Sequence, residues 1–475
     1  MRIVARTTPK SENVTPSPRM YFVHIPKTAG ITLKAFLENN YAGGESLVID
    51  EWKARELPPE ELRRYRLLSG HYSSEVLAAL GERPDATLML VREPVSRFRS
   101  WMAHCRRLSG TKYRDMCEGR SDLEVLTGPN AYTCHQAHWL ARALEGGAAY
   151  ATVPAAEELA SLIDRVDVAG LTEEIERFMQ LVAFRMGWPP PQLGWHINRR
   201  PDTTAPALQL VHGQLSDDEL RKHLAVDEAL YAQTRSRFWQ AYANMLTAIS
   251  PGADAFTADA AQHVAVETVQ GWLRDAYVAR TAERLCTATE SMDIDGVRAV
   301  SGEGWWWRES PKGVAYRWTG PSTRATILAA PLVEAHDYAL TIEAMGAADW
   351  QTWEAVGLEV NGKPVRAVHE RFTTPEPGMV SIRLQARLTP DIVSAQDGLT
   401  SIAISVPETK RALSHVRVLE SVDTYNQDMR QVGLAVHRVQ IAQVEARVLP
   451  ALTLRRVGPA SLKGGDFTSP SSQTA

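Results

Sequence analysis

Two short stretches of this 475-residue chain carry residue types suited to holding a negatively charged group. The first, HIPKTAGITL at residues 24–33, follows the apolar run that starts at Tyr21 and leads into a segment of helical spacing. Unpaired N–H groups at a helix start, together with the helix dipole, favour an anion there. The expected contacts are the amides of Lys27, Thr28, Ala29, Gly30, Ile31 and Thr32, with the Lys27 ammonium adding a full charge. Thr28 and Thr32 offer hydroxyls, and Gly30 lets the backbone come close to a ligand. The second stretch, VREPVSRFRSW at residues 91–101, follows another apolar run. Arg92 falls at the strand end, where a guanidinium can fork onto a phosphate. Ser100 comes eight residues later and can add a hydroxyl, while Arg97 and Arg99 add positive potential.

Each stretch alone is also what an ordinary strand-to-helix turn, or a solvated basic helix face, looks like. Together they place two anion sites at the ends of two strands, the edge at which open α/β sheets bind ligands. A ligand with two separated phosphates fits that pattern. The order of residues is not that of a Walker A loop, in which lysine follows the second glycine; here Lys27 precedes Gly30.

The elements that must position these residues read as strand–loop–helix units. YFVHI at 21–25 and TLMLV at 87–91 are short buried strands, each followed by a proline-containing loop and a helical stretch. Such units imply an α/β fold, with a P-loop-like parallel sheet flanked by helices. The expected organisation is a disordered lead-in at 1–19, an α/β domain at 20–249 and a helical linker at 250–300. An all-β sandwich domain at 301–420, a helical segment at 421–457 and a disordered tail at 458–475 would follow. Alternating runs such as YALTIEA at 338–344 and TSIAISV at 400–406 mark the β domain, and Asn361–Gly362 is a strong hairpin signal. Within the last helical segment, residues 423–448 are expected to form one helix.

The pair of motifs resembles the 5′-phosphosulfate loop and the 3′-phosphate motif of sulfotransferases that use 3′-phosphoadenosine 5′-phosphosulfate (PAPS). It is closest to the branch similar to heparan sulfate 2-O-sulfotransferase and its bacterial relatives. The resemblance covers about residues 20–244 and includes GLTEEIERFMQLVAFRMGW at 170–188 and VDEALYAQTRSRF at 226–238. Ile31 departs from it, standing where many members carry a hydroxyl residue. The resemblance implies PAPS as donor substrate, no metal and a carbohydrate acceptor. Lys27 and its loop would stabilise the leaving phosphate, and Arg92 with Ser100 would hold the 3′-phosphate. It also puts a catalytic base on His71, in RLLSGHYSSEV at 66–76. The chemistry suits a histidine, since an alcohol must lose its proton as the new S–O bond forms. Other histidines within reach of the motifs are His24, His104, His135 and His138. Asn198, Arg199 and Arg200 are a further family-implied element, a nucleotide-covering loop.

Two other readings use the same residues. A nucleotide-dependent kinase is disfavoured by the displaced lysine and by the lack of an obvious magnesium carboxylate beside Thr28. Against a non-catalytic glycan-binding protein stand intact Lys27, His71, Arg92 and Ser100. In the β domain, Trp305, Trp306, Trp307, Trp318, Trp350 and Trp353 either offer flat faces to sugars or fill a core and a domain interface.

The net charge of −4, from 52 basic and 56 acidic residues, gives no global attraction to nucleic acid, so any anion site must be local. No apolar run approaches the roughly 18 residues of a spanning helix, and residues 1–19 hold no apolar signal core. Four cysteines without C-x-x-C pairing fit free thiols, and the expected compartment is the cytoplasm.

Overall fold

The computed structural model describes residues 18–42, 44–47, 51–106, 112–145, 152–194, 214–252, 255–296, 300–309, 314–348, 350–373, 380–394, 398–411 and 431–444. The expected lead-in before residue 18, the loop at 198–200 and the tail from 458 lie outside these residues.

The first domain is built on a five-stranded sheet. Its strands are β1 (Met20–Val23), β2 (Ser46–Leu47), β3 (Leu67–Gly70), β4 (Ala86–Val91) and β5 (Val168–Leu171), in the order β2-β3-β1-β4-β5. All the pairings are parallel, with Met20 opposite Leu67 on one side and Ala86 on the other. Every residue of β1, β4 and β5 is buried. Helices covering both faces explain why these strands read as continuous apolar runs rather than alternating ones.

The helices that matter for the site are α1 (Gly30–Asn39), α2 (Pro94–Cys105), α3 (Gln136–Leu144), α4 (Ile175–Met186) and α5 (Ala225–Ile249). Helix α1 buries Leu33, Phe36 and Leu37 at helical spacing. The chain leaves β1 toward β2 and β3, on one side, but leaves β4 toward β5, on the other. The sheet therefore reverses its winding between β1 and β4, and a crevice opens at their carboxyl ends. The two basic motifs begin there.

A helical region follows, dominated by α6 (Val266–Arg284), and leads into a mostly antiparallel β domain. Its strands are β6 (Ser291–Asp295), β7 (Trp305–Glu309), β8 (Tyr316–Thr319), β9 (Arg324–Ala329), β10 (Tyr338–Ala347), β11 (Gly357–Val360) and β12 (Lys363–Val365). After them come β13 (Ala367–Thr373), β14 (Val380–Leu388), β15 (Thr400–Ser405), β16 (Lys410–Arg411), β17 (Gln431–Val432) and β18 (Leu434–Gln443). One sheet runs β13-β14-β10-β18-β8-β7 with β6 also on β18, a second runs β12-β11-β15-β9, and β16 pairs with β17. Inward side chains of both large sheets, among them Leu340, Ile342, Leu384, Leu358, Ile402 and Ile404, share one core, which makes a sandwich. The Asn361–Gly362 turn has φ of 51° and 73°, positive at both central residues, and joins β11 to β12 as a two-residue hairpin.

Two expectations fail. Residues 431–443 are strand, not helix: β18 pairs with β10 along its length, and Val436, Val439 and Ile441 point into the sandwich core. Its apolar residues satisfy a sheet with a central place for one more strand, and tertiary pairing outweighs helix propensity. The rest of the segment expected to be helical lies outside the described residues. Likewise, 291–295 within the expected linker is β6, antiparallel to β18.

The tryptophans of the β domain are mostly interior. Trp305 and Trp306 are 6% exposed and donate their indole N–H groups to the carbonyls of Thr326, at 2.7 Å, and Gln431, at 2.8 Å. Trp353 is buried in the sandwich core, and Trp318 packs with Trp306 against the core of the first domain. The side chains of Trp307 and Trp350 lie outside the described residues.

Candidate functional site

The loop from β1 to α1 is held in an uncommon shape. Lys27 and Ala29 both have left-handed backbones, with φ of 72° and 56°. A non-glycine residue held there costs of order 1–3 kcal/mol and persists only where its surroundings impose it. Ala29 is the N-cap of α1 without a side-chain cap, and the first turn holds no acidic residue. The amides of Thr32 and Leu33 bond the Ala29 carbonyl, whereas those of Ala29, Gly30 and Ile31 meet no acceptor among the described residues. Successive amides in alternating backbone handedness are an arrangement that can receive an anion.

The Thr28 hydroxyl has a partner within the loop. Thr28 is fully buried and its hydroxyl donates to the Ile25 carbonyl at 2.9 Å, tying the loop to itself. Thr32 is 3% exposed. The loop residues that remain half-exposed are Lys27, Ala29 and Ile31.

Gly30 also differs. A Cβ there would stand 1.9 Å from Nε2 of His24, so the missing side chain makes room for an imidazole, not for a ligand. That ring lies between Phe22, at 5.4 Å between centroids, and His71, at 4.3 Å, in near-parallel stacks. His71 follows β3, beside β1, and its Nδ1 lies 2.6 Å from the His24 carbonyl oxygen. A carbonyl only accepts, so Nδ1 carries the proton, and in the neutral ring Nε2 keeps its lone pair. Crowding by protein atoms pushes His71 down to about 4, against the pull of the His24 carbonyl, with Arg142, Lys34 and Arg97 adding to the fall. The residue is nonetheless exposed to solvent overall, which moderates the desolvation. The direction stands: the imidazole is neutral at pH 7. Burial, then the charges of His71, Lys34 and Lys27, hold His24 well below its ordinary value as well.

The second motif meets the first. The Arg92 guanidinium, at the end of β4, approaches the Lys27 carbonyl at 3.4 Å. Its backbone is bracketed by Gln136 of α3, whose Oε1 accepts from the Arg92 N–H at 2.9 Å and whose Nε2 donates to the Arg92 carbonyl at 2.7 Å. Ser100 is half-buried on α2, two turns beyond Arg92. Glu93 caps α2 through the amides of Val95, at 3.3 Å, and Ser96, at 2.7 Å.

The other two arginines have structural partners. Arg97 is wholly buried and donates to the carbonyls of Pro26, at 3.1 Å, and Cys134, at 2.5 Å, so it braces the first loop from below. Arg99 pairs with Asp217 at 2.5 Å.

Several side chains on and around α3, near His71, were not singled out as site residues from the sequence. Trp139 of α3 lies 5.6 Å from the His71 ring, and Arg142 sits over the Trp139 indole at 5.3 Å. Arg142 also bonds Glu51, which accepts from Arg55 at 2.6 Å and from the Ser73 amide at 3.2 Å. Burial alone would raise the Glu51 carboxyl, but Ser73, Arg55 and Arg142 together lower it. Asp227 of α5, 1% exposed, accepts from the amides of Gln136 and Ala137, at 2.8 and 3.0 Å, and so fixes the start of α3. Their only signal in sequence was an acidic or basic residue at helical spacing among apolar neighbours. His135 and His138 are buried on or beside α3, and His138 Nδ1 meets the Thr152 carbonyl at 2.8 Å. His104 ends α2 near Trp101.

The site is a crevice open to solvent. Two partly open hollows lie elsewhere, of about 250 Å³ between the two domains and about 330 Å³ between α4 and α5. Among the described residues no group of three or more His, Cys, Asp or Glu is placed to hold a metal ion, and no helix is long and apolar enough to cross a membrane. No protein-family model matches the sequence, and no curated protein matches it.

Proposed function

We propose that the chain is a PAPS-dependent sulfotransferase acting on a carbohydrate hydroxyl, as the likeness of its two motifs to that family implies. One observation carries the reading: Arg92 and the Lys27 loop touch across the crevice between β1 and β4, with His71 stacked beside the same loop on its other flank. In this reading the two motifs bind anions and a neutral imidazole stands beside them. The Ala29, Gly30 and Ile31 amides with Lys27 would hold the 5′-phosphosulfate, and Arg92 with Ser100 the 3′-phosphate.

His71 Nε2 would take the acceptor hydroxyl proton as the acceptor oxygen bonds to sulfur. The sulfur–oxygen bond to the donor phosphate breaks in the same displacement, and its electron pair leaves on the phosphate oxygen. Lys27 and the loop amides stabilise that charge, the kind of preorganised contribution that is often the largest in catalysis. A neutral base with a fixed tautomer contributes roughly 10²–10⁴-fold.

Calorimetry of the full chain with adenosine 3′,5′-bisphosphate and with ATP tests the donor assignment. The bisphosphate should bind at least tenfold more tightly, and Arg92→Ala should weaken it by a similar factor. Tighter binding of ATP, or an unchanged affinity in Arg92→Ala, would overturn the assignment. Transfer of labelled sulfonate to a panel of glycans, with His71→Ala as the inactive control, tests the chemistry.

A further inference from the structure

Glu51, at the start of the short helix Glu51–Glu56, has no part in the chemistry above, yet two tethers of the His71 neighbourhood meet on it. One carboxylate oxygen accepts from the Ser73 amide, at 3.2 Å, and from Arg55, at 2.6 Å. Arg55 also donates to the Ser73 hydroxyl at 3.1 Å. The other oxygen accepts from Arg142 of α3. Ser73 stands two residues past His71, and the residue between them is fixed as well: the Tyr72 carbonyl accepts from the Tyr21 hydroxyl at 3.0 Å, and the Tyr72 hydroxyl donates to the Leu47 carbonyl at 3.2 Å. Arg142 lies over the Trp139 indole, which is 5.6 Å from the His71 ring. A single carboxylate thus joins the backbone that carries the imidazole to the side chains that stand against it.

His71 needs such restraint. The residue is exposed overall, so the bond from its Nδ1 to the His24 carbonyl competes with water and holds the ring only weakly by itself. The Glu51–Arg142 pair is better shielded, with the two side chains 16% and 17% exposed, and solvent weakens it less than a surface pair. We propose that Glu51 is a positioning residue for His71: it clamps the Ser73 amide to Arg142 and so keeps the imidazole against His24 and Trp139, with Nδ1 on the His24 carbonyl and Nε2 as the proton acceptor. The use of that Nε2 in transfer rests on the sulfotransferase reading; the clamp itself does not.

Charge and position predict opposite signs for the loss of Glu51. The titratable and charged groups near the His71 ring are His24 from β1, Lys34 from α1, Arg97 from α2 and Arg142 from α3. Of these, Arg142 is the one that Glu51 holds. A carboxylate acting only through its charge would, on removal, leave Arg142 unbalanced and push the imidazole further down. A carboxylate that positions the ring would, on removal, let it turn into water, and its midpoint would rise toward the ordinary 6.5. The released ring would also lose its single tautomer, since the His24 carbonyl no longer selects Nδ1–H.

The test is the nitrogen NMR spectrum of the histidine rings in the full chain, titrated with pH, with His71→Ala identifying the His71 signals. The wild type should show the Nδ1–H tautomer and a midpoint below 6.5. In Glu51→Ala the tautomers should mix and the midpoint rise by about half a pH unit or more. Glu51→Gln keeps the shape and an oxygen for the Ser73 amide but loses the ion pair; it should shift the midpoint the same way by less, and it decides the matter if Glu51→Ala does not fold. Asn361→Ala, far off in the sandwich, controls for lost stability and should leave the His71 signals unchanged. Sulfonate transfer by Glu51→Ala should show kcat lower by about tenfold or more, the cost of a displaced base, with affinity for adenosine 3′,5′-bisphosphate unaltered. The proposal is overturned if the Glu51 variants keep the wild-type tautomer and midpoint, or if the midpoint falls. Titration of the wild type with the bisphosphate separates the two readings: no binding, together with a released ring in Glu51→Ala, would sink the sulfotransferase assignment and leave the clamp standing.

Discussion

Replacing Gly30 by alanine adds a carbon 1.9 Å from Nε2 and 2.0 Å from Cδ2 of His24. To reach an ordinary contact of 3.4 Å the ring must retreat by about 1.5 Å, and both of its faces are covered, by Phe22 and by His71. Overpacking of this kind costs about 1–3 kcal/mol. In a helix, Gly→Ala is otherwise stabilising by about 0.5–1 kcal/mol, so the sign of the change is informative. Denaturant unfolding should give a lower midpoint for Gly30→Ala than for the wild type. His71 is tied to the same residue by both ring and carbonyl, and a reacting group misplaced by 1 Å loses about 10²-fold in rate. Transfer by Gly30→Ala should fall by that order while affinity for adenosine 3′,5′-bisphosphate changes little. Removing the obstructing ring supplies the control. In His24→Ala the three ring atoms nearest the added methyl are gone, so the double variant should match His24→Ala alone in stability, a coupling that independent sites would not give. A Gly30→Ala protein as stable as wild type, or losses that simply add, would refute the packing argument.

Other expectations follow from the same geometry. Because His71 is held below its ordinary value, its neutral form persists to lower pH, and the acid limb of kcat/KM should fall below pH 6.5. A bound dianionic donor favours the imidazolium, so the limb of kcat should lie at higher pH than that of kcat/KM; coincident limbs would remove the anion from the neighbourhood of His71. Arg97→Met should lower stability by about 3 kcal/mol in denaturant titration, because it leaves buried carbonyls of the first loop and of Cys134 without donors. Asn361→Ala should cost about 2–3 kcal/mol. Its side-chain N–H groups serve the carbonyls of Ile392, Val393 and Ser394, its Oδ1 takes the Ser401 amide, and its backbone is left-handed at φ 51°. A thermal-melt shift no larger than that of a surface substitution would contradict this.

Much of the first domain was legible because its strands are short, apolar and each followed by a breaker. β1, β4 and the helices after them fall where periodicity placed them. The Asn361–Gly362 hairpin was legible because that dipeptide accepts positive φ twice. The closeness of His71 to His24, at the head of the first motif, was not legible in spacing. It depends on β3 inserting between β2 and β1, a crossover that local pattern does not encode. Arg97 and Arg99, alike in sequence, part company only because α2 turns one inward to the Pro26 carbonyl and the other outward to Asp217. The Thr28 hydroxyl, expected at a ligand, bonds the Ile25 carbonyl instead, and the space beside the Gly30 Cα, expected for a ligand, holds the His24 ring. Residues 431–443 were misread because a polar–apolar stretch of that length satisfies either period, and only the gap between β10 and β8 decides it.

The pairing of β6 with β18 has a consequence for how the polypeptide is made. All five strands of the first sheet lie within residues 20–171, so that unit can collapse while translation continues. The later sandwich cannot close in the same way. Its strand at 291–295 waits for a neighbour at 434–443, and until the ribosome has released that neighbour the flank of β10 away from β14 stays open. Domains generally form as units in order of synthesis, and contacts so distant in sequence form slowly. The nascent chain thus passes through a stage with a finished amino-terminal half and an open β edge, the form most exposed to mispairing and most in need of a chaperone.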